Sequence, residues 1–95
     1  MHESIKKLKP KIVRILRKNG VVKAGIFGSY ARGDAKKRSD IDLLIQFKKG
    51  KSFFDLVRLE NELKIKLKKD VDLLTYNSIN HLLKERILND EIRII

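Results

Sequence analysis

Cysteine is missing from this sequence altogether. Its absence rules out a disulfide framework and a thiolate metal site, and it fits a reducing compartment. Long hydrophobic runs are missing too. No apolar stretch approaches the roughly 20 residues of a membrane helix, and the opening Met1-His2-Glu3 lacks the apolar core of a signal peptide. The expected location is the cytoplasm, with no membrane partner. Aromatic side chains make up only 6% of the chain, and none of them interleave with basic residues as a single-strand nucleic-acid surface requires. Repeats, low-complexity tracts and linkers are also lacking. At 95 residues the expectation is one domain, 1–95, with one modest core.

What the chain has in excess is positive charge: 23 basic against 12 acidic residues, a formal net charge of +11. Such a surface attracts polyanions, whether nucleotides, nucleic acid or an acidic protein. Much of the excess reads as solvated helix faces, and direct nucleic-acid binding is the less favoured use of it.

Apolar residues at Ile5, Leu8, Ile12, Ile15 and Leu16 recur at three- and four-residue steps, which predicts an amphipathic helix that Asn19-Gly20 ends. Pro10 within that pattern either kinks the helix or starts its regular part. Val21 to Phe27 is a β-rich run leading into Gly28-Ser29 and a short helical turn that Gly33 closes. Asp40 to Phe47 is the clearest strand, apolar on both faces apart from two carboxylates, as expected of a covered central strand. Ser52 and Asp55 form a capping-box pattern, followed by a helical stripe at Leu56, Leu59, Leu63 and Leu67. Val71 to Thr75 is a third strand, with Asn77 and Ser78 as turn or cap residues. Ile79, Leu82, Leu83 and Ile87 suggest a last helix, and Ile92 with Ile94 a terminal strand. Strands alternating with helices imply a sheet with helices packed on it, of undetermined strand order.

Asp40-Ile41-Asp42 places two carboxylates on one face of a strand, roughly 6 to 7 Å apart along it. Side by side they repel and resist desolvation, which calls for a cation between them. Oxygen ligands with no histidine or cysteine nearby favour magnesium or manganese, completed by water and substrate phosphates. The alternative is structural: one aspartate pairs with Arg32 or Arg38 and the other merely begins a strand. Gly28 permits close approach of a ligand to the backbone, and Ser29 offers a hydroxyl and free amides at the start of a helical turn, a ready phosphate site. Taken alone, Gly28-Ser29 is equally an ordinary tight turn. No Walker A lysine follows it, and it is not the dinucleotide glycine pattern. His2 and His81 fit no role, while Phe53, Phe54 and Tyr76 are expected in the core.

Gly28-Ser29, ten residues, then Asp40-x-Asp42, set within Ile26-Phe27-Gly28-Ser29-Tyr30-Ala31-Arg32-Gly33 and Ser39-Asp40-Ile41-Asp42-Leu43, resembles the signature of the polymerase-beta-like nucleotidyltransferase superfamily. The small size and the Phe-Gly-Ser-x-Ala-Arg-Gly wording are similar to the minimal nucleotidyltransferases, the MNT proteins paired with HEPN toxins. The resemblance spans nearly the whole chain. It implies the polymerase-beta-like fold, of α/β (α+β) class, with a small mixed sheet of three to four strands and helices packed on it. It also implies that Gly28 and Ser29 hold nucleotide phosphates and that Asp40 and Asp42 hold Mg2+. A third carboxylate, on a neighbouring strand, is matched by Asp72, with Asp70 as its competitor. Asp72 would ligate metal or accept the proton of the nucleophile. Arg32, and with it Lys36, Lys37 and Arg38, are candidates to hold the triphosphate or are plain surface charges.

The function the resemblance implies is transfer of AMP from ATP to a hydroxyl, expected to be a tyrosine of a HEPN toxin, by an antitoxin that works through modification within a heteromeric complex. Two other readings stand beside it. One is an antitoxin that sequesters its partner without needing catalysis; the other is a basic nucleic-acid-binding module, whose affinity would fall steeply with salt and survive Asp42→Ala.

Overall fold

The computed structural model describes residues 5–36 and 38–95; the opening Met1-His2-Glu3 segment, and Lys37 of the basic loop, lie outside the described residues. The first helix, α1 (Ile5–Lys18), buries Leu8, Ile12, Ile15 and Leu16 on one face and contains Pro10 within its length. Asn19 ends it: both its backbone amide and its side-chain amide donate to the Ile15 carbonyl, at 3.2 and 2.7 Å. Strand β1 (Val21–Phe27) runs directly into the one-turn helix α2 (Gly28–Arg32), and β2 (Ile41–Phe47) follows after a loop. Helix α3 (Phe53–Leu67) opens with the expected capping box, in which the Ser52 amide donates to Asp55 Oδ2 at 2.8 Å. Strand β3 (Val71–Thr75), a 3-10 turn (Tyr76–Ser78), helix α4 (His81–Asp90) and the short β4 (Ile92–Arg93) complete the chain.

The four strands lie in the order β3-β2-β1-β4. β1 runs antiparallel to both β2 and β4, whereas β2 and β3 are parallel, so α3 is the crossover that a parallel pair requires. The sheet is therefore mixed and four-stranded. Alternation along the strands decides what each face meets. Ala24 and Ile26, Ile41, Leu43 and Ile45, and Val71 and Leu73 join the buried residues of α1 and α3 in the core. The other face of β2 carries Asp42 and Leu44, and Leu44 is buried outside the main cluster.

Two local expectations need correcting: the core placement of Phe53 and Phe54, and the start of β2 at Asp40. Phe53 and Phe54 are not core residues but are 72% and 77% exposed, because they occupy the first two positions of α3, ahead of the buried stripe Leu59, Leu63 and Leu67. The expected last helix forms as α4 but buries none of its residues, and Leu82 is 78% exposed. Its N-cap is Asn80, whose side chain accepts from the Leu82 amide at 2.9 Å, while Asn77 and Ser78 lie in the 3-10 turn, as expected of turn residues. Asp40 lies just outside β2, which begins at Ile41.

The C-terminal segment is tied down through Gly25. A Cβ at that position would lie 2.0 Å from Glu91 Oε2, so only glycine admits the Glu91 carboxylate to the face of β1. There the carboxylate accepts from the Tyr76 hydroxyl, whose ring lies 4.3 Å below the Lys23 ammonium. Burial and the Glu91 charge raise the Tyr76 pKa, keeping its proton in place as donor.

Candidate active site

Sheet register places the predicted acidic residues. Phe27 pairs with Asp42 across β1 and β2, and Asp42 pairs with Asp72 across β2 and β3. In-register neighbours on adjacent strands point to the same face, with backbones about 4.8 Å apart. One lateral row thus carries the end of β1, the central carboxylate and the flanking one. Asp40 approaches from the loop ahead of β2. Asp42 is half-buried, while Asp40 and Asp72 are exposed.

Gly28 follows Phe27 and closes this row from above. Its φ is 74°, in the left-handed region, and a Cβ there would lie 2.1 Å from Asp42 Oδ2. Both conformation and space therefore demand glycine. The turn into α2 has no side-chain cap, so the first amides of the turn are left for another acceptor. Ser29 is half-buried at the same turn, and Tyr30 anchors α2 in the core.

Asp42 is electrostatically strained. Burial, then the charges of Asp72 and Asp40, push its carboxyl up to about 6, against an opposing pull from Arg32. Arg32 does not neutralise it by an ion pair, because its guanidinium binds Asp90 at 3.2 Å and Asp34 at 3.4 Å. Asp90 first, then Asp34, hold that guanidinium above its ordinary pKa. The alternative of a plain aspartate–arginine pair is thus not what the chain adopts. An all-oxygen donor set with unrelieved repulsion suits a hard divalent cation. Among the described residues no three acidic, histidine or cysteine side chains converge on one metal position.

The row opens into a cleft of 490 Å³ lined by Phe27, Gly28, Ser29, Arg32, Ser39, Asp40 and Asp42. Its far wall is one face of α4: Leu83, Arg86, Ile87 and Asp90. Their spacing of three, four and seven residues is the repeat of a helical face. Sequence periodicity puts Leu83 and Ile87 on a last helix but gives that face no role; the interspersed Arg86 and Asp90 are the available signal. The other cations of the loop are placed elsewhere. Lys36 is exposed, its amide bonded to Ser39 Oγ at 2.7 Å, and Arg38 lines a separate cleft with Asp70. Asp70 is exposed at the mouth of β3, while Asp72 is in register with Asp42.

Over residues 10–95 the chain matches the family described as Polymerase beta, Nucleotidyltransferase. It is 55% identical over 92 residues, covering 97% of this chain and 99% of the relative, to a Methanocaldococcus jannaschii protein provisionally named a protein adenylyltransferase. A Thermococcus cleftensis relative, the protein adenylyltransferase MntA, is 37% identical over 71 residues, 75% of this chain and 72% of the relative. In structure the chain resembles a solved toxin–antitoxin complex with AMP-PNP, with TM-score 0.81 and 26% identity over 92% of this chain and 72% of that one.

Proposed function

Since this chain belongs to the polymerase beta nucleotidyltransferase family, we propose that it is a magnesium-dependent protein adenylyltransferase and the antitoxin of a HEPN toxin. In this reading it transfers AMP from ATP to a tyrosine hydroxyl of that toxin, in the cytoplasm. The observation that carries the proposal is Gly28 pressed against Asp42 while Asp72 stands in register beside it. A phosphate-gripping turn and the carboxylates then share one locus.

Each residue has a definable task. The amides of the Gly28-Ser29 turn and the Ser29 hydroxyl take the phosphates of ATP. Arg32, held in place by Asp34 and Asp90, faces the same cleft and adds charge to the phosphate grip. Asp40, Asp42 and Asp72 would hold magnesium, which when bound offsets the charge of the phosphates and of the three acids. Asp72, in register with Asp42 on the exposed flank of the row, would complete that metal set or else accept the proton of the acceptor hydroxyl. The acceptor oxygen bonds to the α-phosphorus, the bond from that phosphorus to the bridging oxygen breaks, and pyrophosphate leaves. Positioning and charge neutralisation supply most of the acceleration in such transfers. The Leu83 and Ile87 wall supplies apolar surface for the adenosine, with Arg86 beside it. The similarity to a protein adenylyltransferase and to a toxin–antitoxin complex supports a protein acceptor; the tyrosine rests on the family resemblance.

The deciding experiment mixes the chain with magnesium, labelled ATP and its HEPN partner and follows label on that partner. Transfer lost in Asp42→Ala supports the proposal. Toxin neutralisation that persists undiminished in Asp42→Ala would move the function to sequestration. Salt-sensitive nucleic-acid affinity without any transfer would move it to a basic binding module.

A further inference from the structure

Helix α4 forms one wall of the cleft beside Asp42, yet it buries none of its residues. Tertiary burial is what normally fixes a helix on a sheet, so another tie must set where Leu83, Arg86, Ile87 and Asp90 stand. The Asn80 cap is not that tie: it accepts from the Leu82 amide of the same segment and orders the first turn without joining it to the sheet. The Arg32–Asp90 pair does cross to another element, but its side chains are partly exposed, and such a pair holds weakly.

A stronger tie lies at the base of the segment. Tyr76 precedes α4 and Glu91 follows it, 15 residues on, and the Tyr76 hydroxyl donates to Glu91 Oε2. This bond joins the two ends of the excursion that carries α4. Both side chains are half-buried. The carboxylate lies on β1 over Gly25, where it leaves no room for a Cβ. The Gly25 backbone is not left-handed, so space alone, and not conformation, requires glycine there. From the same strand the Lys23 ammonium sits 4.3 Å from the centre of the Tyr76 ring and fixes the ring by its face.

Strand register relates this base to the site. Gly25 pairs with Leu44, and Phe27 with Asp42, so the Glu91 carboxylate stands one pleat repeat, about 7 Å, behind the row of site carboxylates on the same face. In the chain Glu91 directly follows Asp90, which holds Arg32. The residue seated on Gly25 and the residue that grips the cleft arginine are thus neighbours. Neither Tyr76 nor Glu91 lines that cleft.

Resting on the adenylyl-transfer reading, we infer that Tyr76 and Glu91 are positioning residues for the nucleotide. By closing the base of the α4 segment on the Gly25 face they set the α4 wall and, through Asp90, the Arg32 guanidinium at the phosphates of ATP. Contacts of this kind act on bound ATP before and during transfer alike, so their loss belongs in KM and not in kcat.

The test measures transfer to the toxin and, separately, equilibrium binding of ATP with magnesium to the chain without toxin. Tyr76→Phe keeps the ring beneath Lys23 and removes only the donor. Gly25→Ala keeps both partners and drives Glu91 from its seat. Each is expected to raise KM and Kd for ATP roughly tenfold, the size of one hydrogen bond to a charged group, with kcat within about twofold of wild type. Glu91→Ala should match Tyr76→Phe, whereas Glu91→Gln keeps an oxygen that accepts from Tyr76 and should stay within about threefold of wild type. Combined with Asp90→Ala, Tyr76→Phe should weaken ATP by less than the two single losses together, because both act on one element. A general loss of stability would produce neither that coupling nor the recovery in Glu91→Gln. If Gly25→Ala does not fold, Tyr76→Phe decides alone. Unchanged ATP binding in Tyr76→Phe, or a fall in kcat at unchanged KM, overturns the inference and leaves the transfer reading standing. Wild type that binds ATP but transfers nothing ends that reading, and the binding comparison then decides the positioning role by itself. Wild type that does not bind ATP overturns both.

Discussion

Asp42 keeps its place in the fold at a cost that a bound cation would remove. Its carboxyl titrates near 6 against an ordinary 3.8, so between those values the folded chain holds a proton that the unfolded chain has lost. Stability from this group is complete below about pH 4 and disappears as pH rises through about 6. Asp55 and Glu62 are shifted downward from 3.8 and 4.5, so their contributions are lost only at lower pH. In chelator, the wild-type melting temperature should therefore fall between pH 5 and pH 7. Asp42→Asn should remove that slope and melt higher at pH 7, by about 1 kcal/mol after solvent screening, or roughly 4–8 °C. The same variant should lower transfer at least about a thousandfold. With limiting magnesium, wild-type transfer should fall as pH drops through about 6, and added magnesium should move that limb to lower pH. A thermal scan and a rate profile check both. Gly28→Ala meets a positive φ and the Asp42 carboxylate together. It should lose most of its transfer and about 1–3 kcal/mol of stability, read by denaturant unfolding. The glycine and the aspartates were legible in the sequence as a spaced motif; their contact was not, because it arises from strand register.

Among the helices α1, α3 and α4, the last is the least anchored. It buries none of its residues, and its described ties are the Asn80 cap and the Arg32–Asp90 pair. Segments with few buried contacts open at low free energy, so its amides should exchange earlier than those of α1, α3 or β2 in a hydrogen-exchange time course. Asn80→Ala should remove about 1 kcal/mol of capping from α4. If that cleft takes ATP as proposed, the expected result is a raised KM for ATP with the unfolding midpoint of the sheet little changed, since α4 walls the cleft beside Asp42 rather than the core. By contrast, Leu63→Ala in α3 empties a fully buried position and should cost about 2–5 kcal/mol in denaturant unfolding. Sequence periodicity located both helices. It did not separate the core-packing stripe of α3 from the cleft-facing stripe of α4, because a partly apolar helical face looks alike whether it meets a core or a ligand. Phe53 and Phe54 show the same limit: their apolar character said nothing of a position at a helix start, outside the buried stripe.

Across the whole molecule, +11 of net charge surrounds a site made of carboxylates. An acidic partner should be drawn in by that field, so its association rate should fall steeply as salt rises from about 0.05 to 0.5 M, with dissociation less affected. Stopped-flow mixing over that range checks it. The sequence by itself determined the element types and the Asp40-x-Asp42 pair, because periodicity, capping and spacing are local properties of the chain; the phosphate role of Gly28-Ser29 and the candidacy of Asp72 came from the family resemblance that the spaced motif carries. Only the tertiary structure decided that Asp72 stands in register with Asp42, that Arg32 is held by Asp34 and Asp90, that α4 walls the cleft, and that Arg38 faces lysines of α3. These juxtapositions join residues distant in sequence. They depend on strand order and helix placement, which hydrophobic burial fixes only when the whole chain packs.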